Sequence, residues 1–274
     1  MSRLALLALL PALALHAAAA ERDACETGPG LLELCAAPRV IHHGPRDVPR
    51  VALTFDACPG RADRGVGYDE RILATLEEHG VRATFFVSGA WAAAHPDALR
   101  QLAASPSVEL ANHSWSHTHM PREREDDALA RELLHTQELL FEASGHWPRW
   151  FRAPYVELDG RVAALAQRAG MTAVQLDLAS GDPDRRIGEE RMVRGVVANA
   201  RPGSIVVMHA NHRRFPTARA LPRIIRGLRA RGLEPVTVGE LLAPPACYPD
   251  LAGFQKMTSV TPSRAKPGKR PTSR

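Results

Sequence analysis

The stretch VALTFDACPG, Val51 to Gly60, decides how the chain is read. An apolar run ends on a carboxylate, Asp56, and Pro59-Gly60 turns the chain straight afterwards. A run that is apolar at nearly every position is the pattern of a strand buried on both faces, as in parallel sheets. Such a strand delivers its last charged group to the rim of the sheet. Ala57 and Cys58 then stand where a second polar group would be expected.

The same rhythm continues downstream. DERILATLEEHG reads as an amphipathic helix with Asp69 as N-cap and Gly80 past its end. VRATFFVSG reads as the next strand, and the helical stretch after it is interrupted at Pro96. SVELANHS is a strand, REDDALARELLHTQELLFEASG a long helix ending at Gly145, RWFRAPY a strand and DGRVAALAQRAG a helix. MTAVQLDL, GSIVVMHA and LEPVTV supply further strands, separated by the helices GEERMVRGVVANA and TARALPRIIRGLRARG. About seven strands alternating with helices predict βα units around a parallel sheet. A closed barrel of seven or eight units fits this count, and a doubly wound open sheet is the alternative. Neither a G-x-G-x-x-G nor a G-x-x-x-x-G-K-[ST] loop is present, so nucleotide binding has no support.

The ends of the chain read differently. MSRLALLALLPALALHAAAA has a positive start, a short apolar middle and a small-residue end, the pattern of a secretory signal peptide over residues 1–20. Residues 21–50 read as an irregular lead-in, 51–245 as the domain proper and 246–274 as a basic tail. No later run is long and apolar enough to span a bilayer. Export would permit disulfides among Cys25, Cys35, Cys58 and Cys247. Cys25–Cys35 is the local pairing, which leaves Cys58 and Cys247 as a pair or as thiols.

Of 274 residues, 45% are hydrophobic and 24% charged, the balance of an ordinary globular protein. The net charge of +5 misleads, because residues 251–274 hold six Lys or Arg and no acid. With those six and Arg3 set aside, residues 21–250 carry −2. The folded part is therefore not a nucleic-acid surface. The Pro- and Ser-rich tail reads as disordered and could touch an anionic envelope surface.

Chemistry in a parallel βα architecture gathers at the carboxyl ends of the strands. Five predicted strands end in reactive groups: Asp56; His113 in NHSWSH; Arg152 and Tyr155 in FRAPY; Asp177, with Asp182 close behind, in LDLASGDP; and His209 in VVMHANH. Scattered surface polar residues would not keep that phase. His113 and His117 can take adjacent corners of a Zn²⁺ site, leaving room for a carboxylate and a water. His119 reads as lying outside the site. Taken singly, Asp56 could be a cap, His209 a core histidine, and Cys58 a structural cysteine.

In this order the motifs resemble the polysaccharide deacetylases, carbohydrate esterase family four. That family carries T-F-D-D, H-[ST]-x-x-H, R-x-P-Y, an Asp-containing fourth motif and a late L-x-H. Here TFDA stands at 54–57, HSWSH at 113–117, RAPY at 152–155, DLASGDP at 177–183 and VMH at 207–209. The resemblance runs from about Val51 to Leu242. It implies a distorted, incomplete (β/α) barrel and a divalent metal, Zn²⁺ by default for His-rich ligation. It also implies removal of acetyl groups from an acetylated polysaccharide or oligosaccharide. By position, Asp56 would be the general base, His113 and His117 metal ligands, and Arg152 the group that orients Asp56. The Tyr155 N–H would help hold the oxyanion, and His209 would be the general acid, tuned by Asp182 or Asp177.

The departures are Pro183, where the family often has Trp, and Ala57, where it has its second, metal-binding Asp. Three outcomes follow from Ala57. Asp56 itself joins the two His on the metal, Cys58 supplies a thiolate, or the protein binds glycans without catalysis.

Overall fold

The computed structural model describes residues 39–60 and 67–242. The leader, Cys25, Cys35, Cys247 and the basic tail lie outside the described residues, as does the pairing expected for those cysteines.

The VALTFDA run forms β2 (Arg50–Ala57), flanked by β3 (Ala83–Val87) and β8 (Ile205–His209). Outward from β3 lie β4 (Val108–Asn112), β5 (Trp150–Phe151), β6 (Thr172–Val174) and β1 (Val40–Ile41). Outward from β8 lies β7 (Leu178–Ala179), and β9 (Glu234–Val236) pairs with the start of β2. Every pairing in this nine-stranded sheet is parallel.

Two differences from the expected seven strands have a physical cause. Val40–Ile41, within the stretch read as irregular, extends the sheet beside β6. The run MTAVQLDL does not stay one strand. Its first part is β6 near one end of the sheet, and Leu178–Ala179 crosses to the other end beside β8. Residues 175–177 therefore bridge the open side of the curl: Gln175 N–H donates to Ile41 O (2.7 Å), and Asp177 faces the start of β8. The ring is an incomplete (β/α) barrel, with those residues spanning its gap.

Alternation along β2 builds two apolar layers. Val51, Leu53, Phe55 and Ala57 face outward with Phe85 and Val87. They pack on α1 (Glu70–Glu78) and α7 (Thr217–Ala230) through Leu73, Leu76, Leu221, Ile224 and Leu228. The Phe55 and Phe85 rings stack at 5.0 Å. Each such buried side chain contributes about 1.5–3 kcal/mol. Ala52, Phe86, Ala111 and Trp150 belong to a separate cluster with Val238 and Leu241 of α8 (Val238–Leu242). Polar groups there are paired: Glu109 accepts from Trp150 Nε1 (3.0 Å) and Thr84 Oγ1 (2.5 Å), as buried acceptors must.

The remaining helices follow the sequence signals. Asp69 caps α1 by accepting from Arg71 N (3.3 Å). Pro96 divides α2 (Gly89–Ala94) from α3 (Pro96–Ala104). The long helix α4 (Asp126–Ser144) stops at Gly145, whose φ of 72° is the left-handed C-terminal cap that glycine adopts cheaply. The helices α5 (Gly160–Arg168) and α6 (Glu189–Asn199) complete the alternation.

Candidate active site

The register of the sheet sets the site. Asp56 pairs with His209 across β2 and β8, so both side chains arrive at the same rim. Asn112 pairs with Phe151, which places His113 and Arg152, one residue beyond each, side by side. The His113 ring then donates from Nδ1 to Arg152 O (2.8 Å), fixing its tautomer and leaving Nε2 to face the rim. Nε2 lies 3.8 Å from Asp56 Oδ2.

Arg152 is fully buried. Its Nη1 donates to Asp56 Oδ1 (2.8 Å) and Thr54 Oγ1 (2.8 Å), its Nη2 to Gln175 O (3.0 Å), and its guanidinium lies 3.9 Å from the centre of the Phe86 ring. Burial pushes the Asp56 carboxyl up, but Arg152, helped by His113 and His209, holds it below the ordinary carboxylate value. Asp56 is therefore an ionised carboxylate with a fixed orientation.

Across the rim, His209 Nδ1 meets Asp182 Oδ1 at 3.0 Å, and its backbone N–H donates to Asp182 Oδ2 (2.7 Å). Ser180 and Thr217 hydroxyls donate to the same carboxylate at 3.0 and 2.7 Å. Burial lowers the His209 imidazole, yet the hydrogen bond and charge of Asp182 outweigh it, and the net direction is up. That shift moves the imidazole toward the protonated form a general acid needs.

Asp177 does not join the site. It lies at the opposite edge, where Oδ1 accepts from Ile205 N (2.8 Å) and Oδ2 from Ser204 Oγ (3.1 Å) and Arg46 Nη2 (2.7 Å). The strand assumed to end at Asp177 in fact restarts after it as β7, so the residue opens a strand instead of closing one. Of the two acids offered as partners of His209, Asp182 is the one in contact.

The HSWSH turn is tightly wound. Ser114 and His117 have φ of 61° and 59°, a left-handed conformation that non-glycine residues adopt at a cost. Asn112 Oδ1 accepts from Ser114 N (2.9 Å), and Ser114 Oγ accepts from His117 N (3.2 Å), which hold the turn. The result sets the His113 and His117 rings 4.9 Å apart. Burial, then the neighbouring His113, lowers His117 to about 4, and burial likewise lowers His113. Both imidazoles are neutral near pH 7, the form that donates a lone pair.

The donor atoms that gather here are those of Cys58, His113 and His117, all within 4.8 Å of one another. Asp56, expected as a third ligand, is not in this group: its Oδ1 is bound by Arg152, and its Oδ2 stands 3.8 Å from His113 Nε2. Thiol plus two imidazoles is a donor set suited to Zn²⁺, so the residues present fit a divalent ion of that kind.

Tyr155 lies beside the turn, 53% exposed, with a φ of 58°. Its ring meets His117 edge-on at 4.6 Å and stacks on His119 at 4.0 Å. His119 stays out of the donor group, as expected, and meets Glu157 Oε2 at 2.8 Å through Nδ1. Sequence reasoning missed Thr54 and Thr217. The period-two step from Asp56 points to Thr54, whereas nothing local marks Thr217, 35 residues from the acid it binds.

A model of the polysaccharide deacetylase family matches residues 43–174. A chitooligosaccharide deacetylase of Bradyrhizobium sp. is 32% identical over 196 residues, covering 67% of this chain and 86% of that one. The chain belongs to the polysaccharide deacetylase family. Peptidoglycan-N-acetylglucosamine deacetylase PgdA of Listeria monocytogenes is 30% identical over 192 residues, 70% of this chain, which spans only 38% of that relative's length. Among solved structures, a CE4 family pseudoenzyme from Bacillus anthracis superposes with a TM-score of 0.67 at 26% identity, covering 75% of this chain and 69% of that one. A mutant of that pseudoenzyme with restored enzymatic activity superposes with the same TM-score.

Proposed function

We propose that this family member is a secreted, metal-dependent hydrolase. Its substrate is an N-acetyl group, or in a chemical variant an O-acetyl group, of a cell-envelope or chitin-like polysaccharide. The observation that carries the reading is the presence on one rim of two complete dyads, Asp56–Arg152 and Asp182–His209, with Asp56 also facing His113 at 3.8 Å beside the His113/His117 pair. A decayed site has no need to keep both. The leader, the relatives' names and the basic tail support export to the bacterial envelope. Among the described residues no helix is long and apolar enough to cross a membrane.

Each residue has a role its surroundings permit. His113 and His117 supply neutral donors for a divalent ion. That ion, when bound, polarises the acetyl carbonyl and lowers the pKa of water. Asp56, ionised and pinned by Arg152, takes the proton of the attacking water. His209, protonated with the help of Asp182, delivers a proton to the leaving amine. The Tyr155 N–H helps hold the oxyanion, a position its left-handed backbone sets in advance.

The metal content of the purified chain, beside His113→Ala, tests this reading without a guess at the substrate. Near-stoichiometric zinc in the wild type, lost in the variant, is expected, followed by acetate release from acetylated glucosamine oligomers. No metal in either after zinc is supplied would sink it. A second reading, a glycan-binding relative without catalysis, is favoured by Ala57 and by the similarity to a pseudoenzyme. It predicts oligosaccharide binding that survives His113→Ala and no acetate release.

A further inference from the structure

We infer that the Sγ of Cys58 is the third protein ligand of the metal, replacing the carboxylate that Ala57 lacks. The inference rests on the metal-dependent reading above. Thr54, Asp56 and Cys58 fall on one face of β2 and its extension, as the period of two requires. Thr54 and Asp56 both meet Arg152 on that face, and the next residue of the series reaches the imidazoles of His113 and His117. Ala57 belongs to the outward-facing apolar cluster instead.

The backbone around Cys58 is held on both sides. Ser88 N and Oγ donate to Ala57 O at 3.1 Å each, and Asn211 Nδ2 donates to Cys58 O. The sulfur is thus aimed by fixed chain. The cysteine is half-buried and absent from the apolar core that takes Ala57 beside it. It sits among lone-pair donors, where a metal ligand belongs.

The division of labour follows from geometry. Arg152 binds Oδ1 of Asp56 and leaves Oδ2 facing His113, so a third ligand from Cys58 keeps that second oxygen available for the proton of water. A sulfur ligand leaves Asp56 where it is. The consequence is a softer site. Two imidazoles and a thiolate favour Zn²⁺ over the hard oxygen-seeking ions Mg²⁺, Ca²⁺ and Mn²⁺. Binding releases the thiol proton to solvent as the Zn–S bond forms.

The test uses the purified full chain stripped of metal and titrated with Co²⁺, then with Zn²⁺. The variants are Cys58→Ser, Cys58→Asp and His113→Ala. The wild type is expected to show the near-ultraviolet charge-transfer absorption of a cobalt–thiolate bond. Cys58→Ser should lose that band, and its Zn²⁺ affinity should fall at least about 10–100-fold, the scale that even outer-shell changes reach. Cys58→Asp should bind without the band and shift its preference toward Mn²⁺. Co²⁺ binding without a thiolate band, at an affinity Cys58→Ser keeps, would overturn the inference and leave the metal-dependent reading standing. Peptide mapping that finds Cys58 in a disulfide in the active protein would overturn it too. No metal binding by the wild type would remove both.

Discussion

The Arg152 guanidinium and the Asp56 carboxylate meet at 2.8 Å with the arginine wholly buried. An ion pair taken out of water is held by its geometry, and removing one partner leaves the other charge uncompensated. Arg152→Ala should therefore cost about 3–5 kcal/mol in denaturant unfolding. Asp56→Asn should destabilise through the same orphaned guanidinium and abolish turnover while leaving metal content intact. If Asp56→Asn lost its metal as His113→Ala does, the aspartate would be a ligand after all.

Asp182 should govern the alkaline limb of the pH–rate profile. Its charge raises His209, and a general acid works only while protonated, so kcat/KM falls as pH rises through that raised value. Asp182→Asn removes the charge that raises the imidazole and so moves the alkaline limb to lower pH. The stability linkage has the same sign. With its folded pKa above its unfolded one, His209 contributes stability that is complete below the unfolded value and is lost as pH rises through the folded value. A profile unmoved by Asp182→Asn would take His209 out of the acid role.

The sheet and the rim were legible because both depend on short-range pattern. Apolar runs closed by Asp56, His113 and His209 need only the period of a strand and the polarity rule of parallel sheets. What escaped depends on chain that crosses the molecule. Leu178 reads as the end of the strand MTAVQLDL, and only the curl of the sheet makes it a partner of β8. The same slip put Asp177 on the wrong rim. Thr217 is equally hidden, since its bond to Asp182 exists only once α7 docks beside β8. Cys58 was ambiguous for a different reason, because its spacing suits a disulfide, a core position and a ligand alike. Its closeness to two imidazoles favours the ligand.

His119 should matter for turnover but not for metal. It stacks on Tyr155 at 4.0 Å and meets Glu157, bracing a residue whose φ of 58° is costly to hold. Such an aromatic pair is worth about 0.5–1.5 kcal/mol. His119→Ala should leave zinc stoichiometry unchanged. It should lower kcat/KM by up to about tenfold, if the whole of that energy positions the Tyr155 N–H in the transition state. Loss of zinc in His119→Ala would place this imidazole among the ligands.

Asp177 gives the matched control for Asp182. The two aspartates flank β7, but Asp182 is buried whereas Asp177, in an exposed position, ties the start of β8 to Arg46 across the gap in the barrel. Its amide replacement keeps one acceptor and loses the charge that holds Arg46. An exposed ion pair contributes about 0.2–1 kcal/mol, so Asp177→Asn should lower thermal stability by an amount in that range. The pH–rate profile and kcat/KM should stay those of the wild type, because the group lies at the far edge from His209. Measured together, the two variants divide the loop: a melting shift with an unchanged profile for Asp177→Asn, a displaced alkaline limb for Asp182→Asn. A displaced limb in Asp177→Asn would mean that the two edges of the open barrel communicate across residues 175–177.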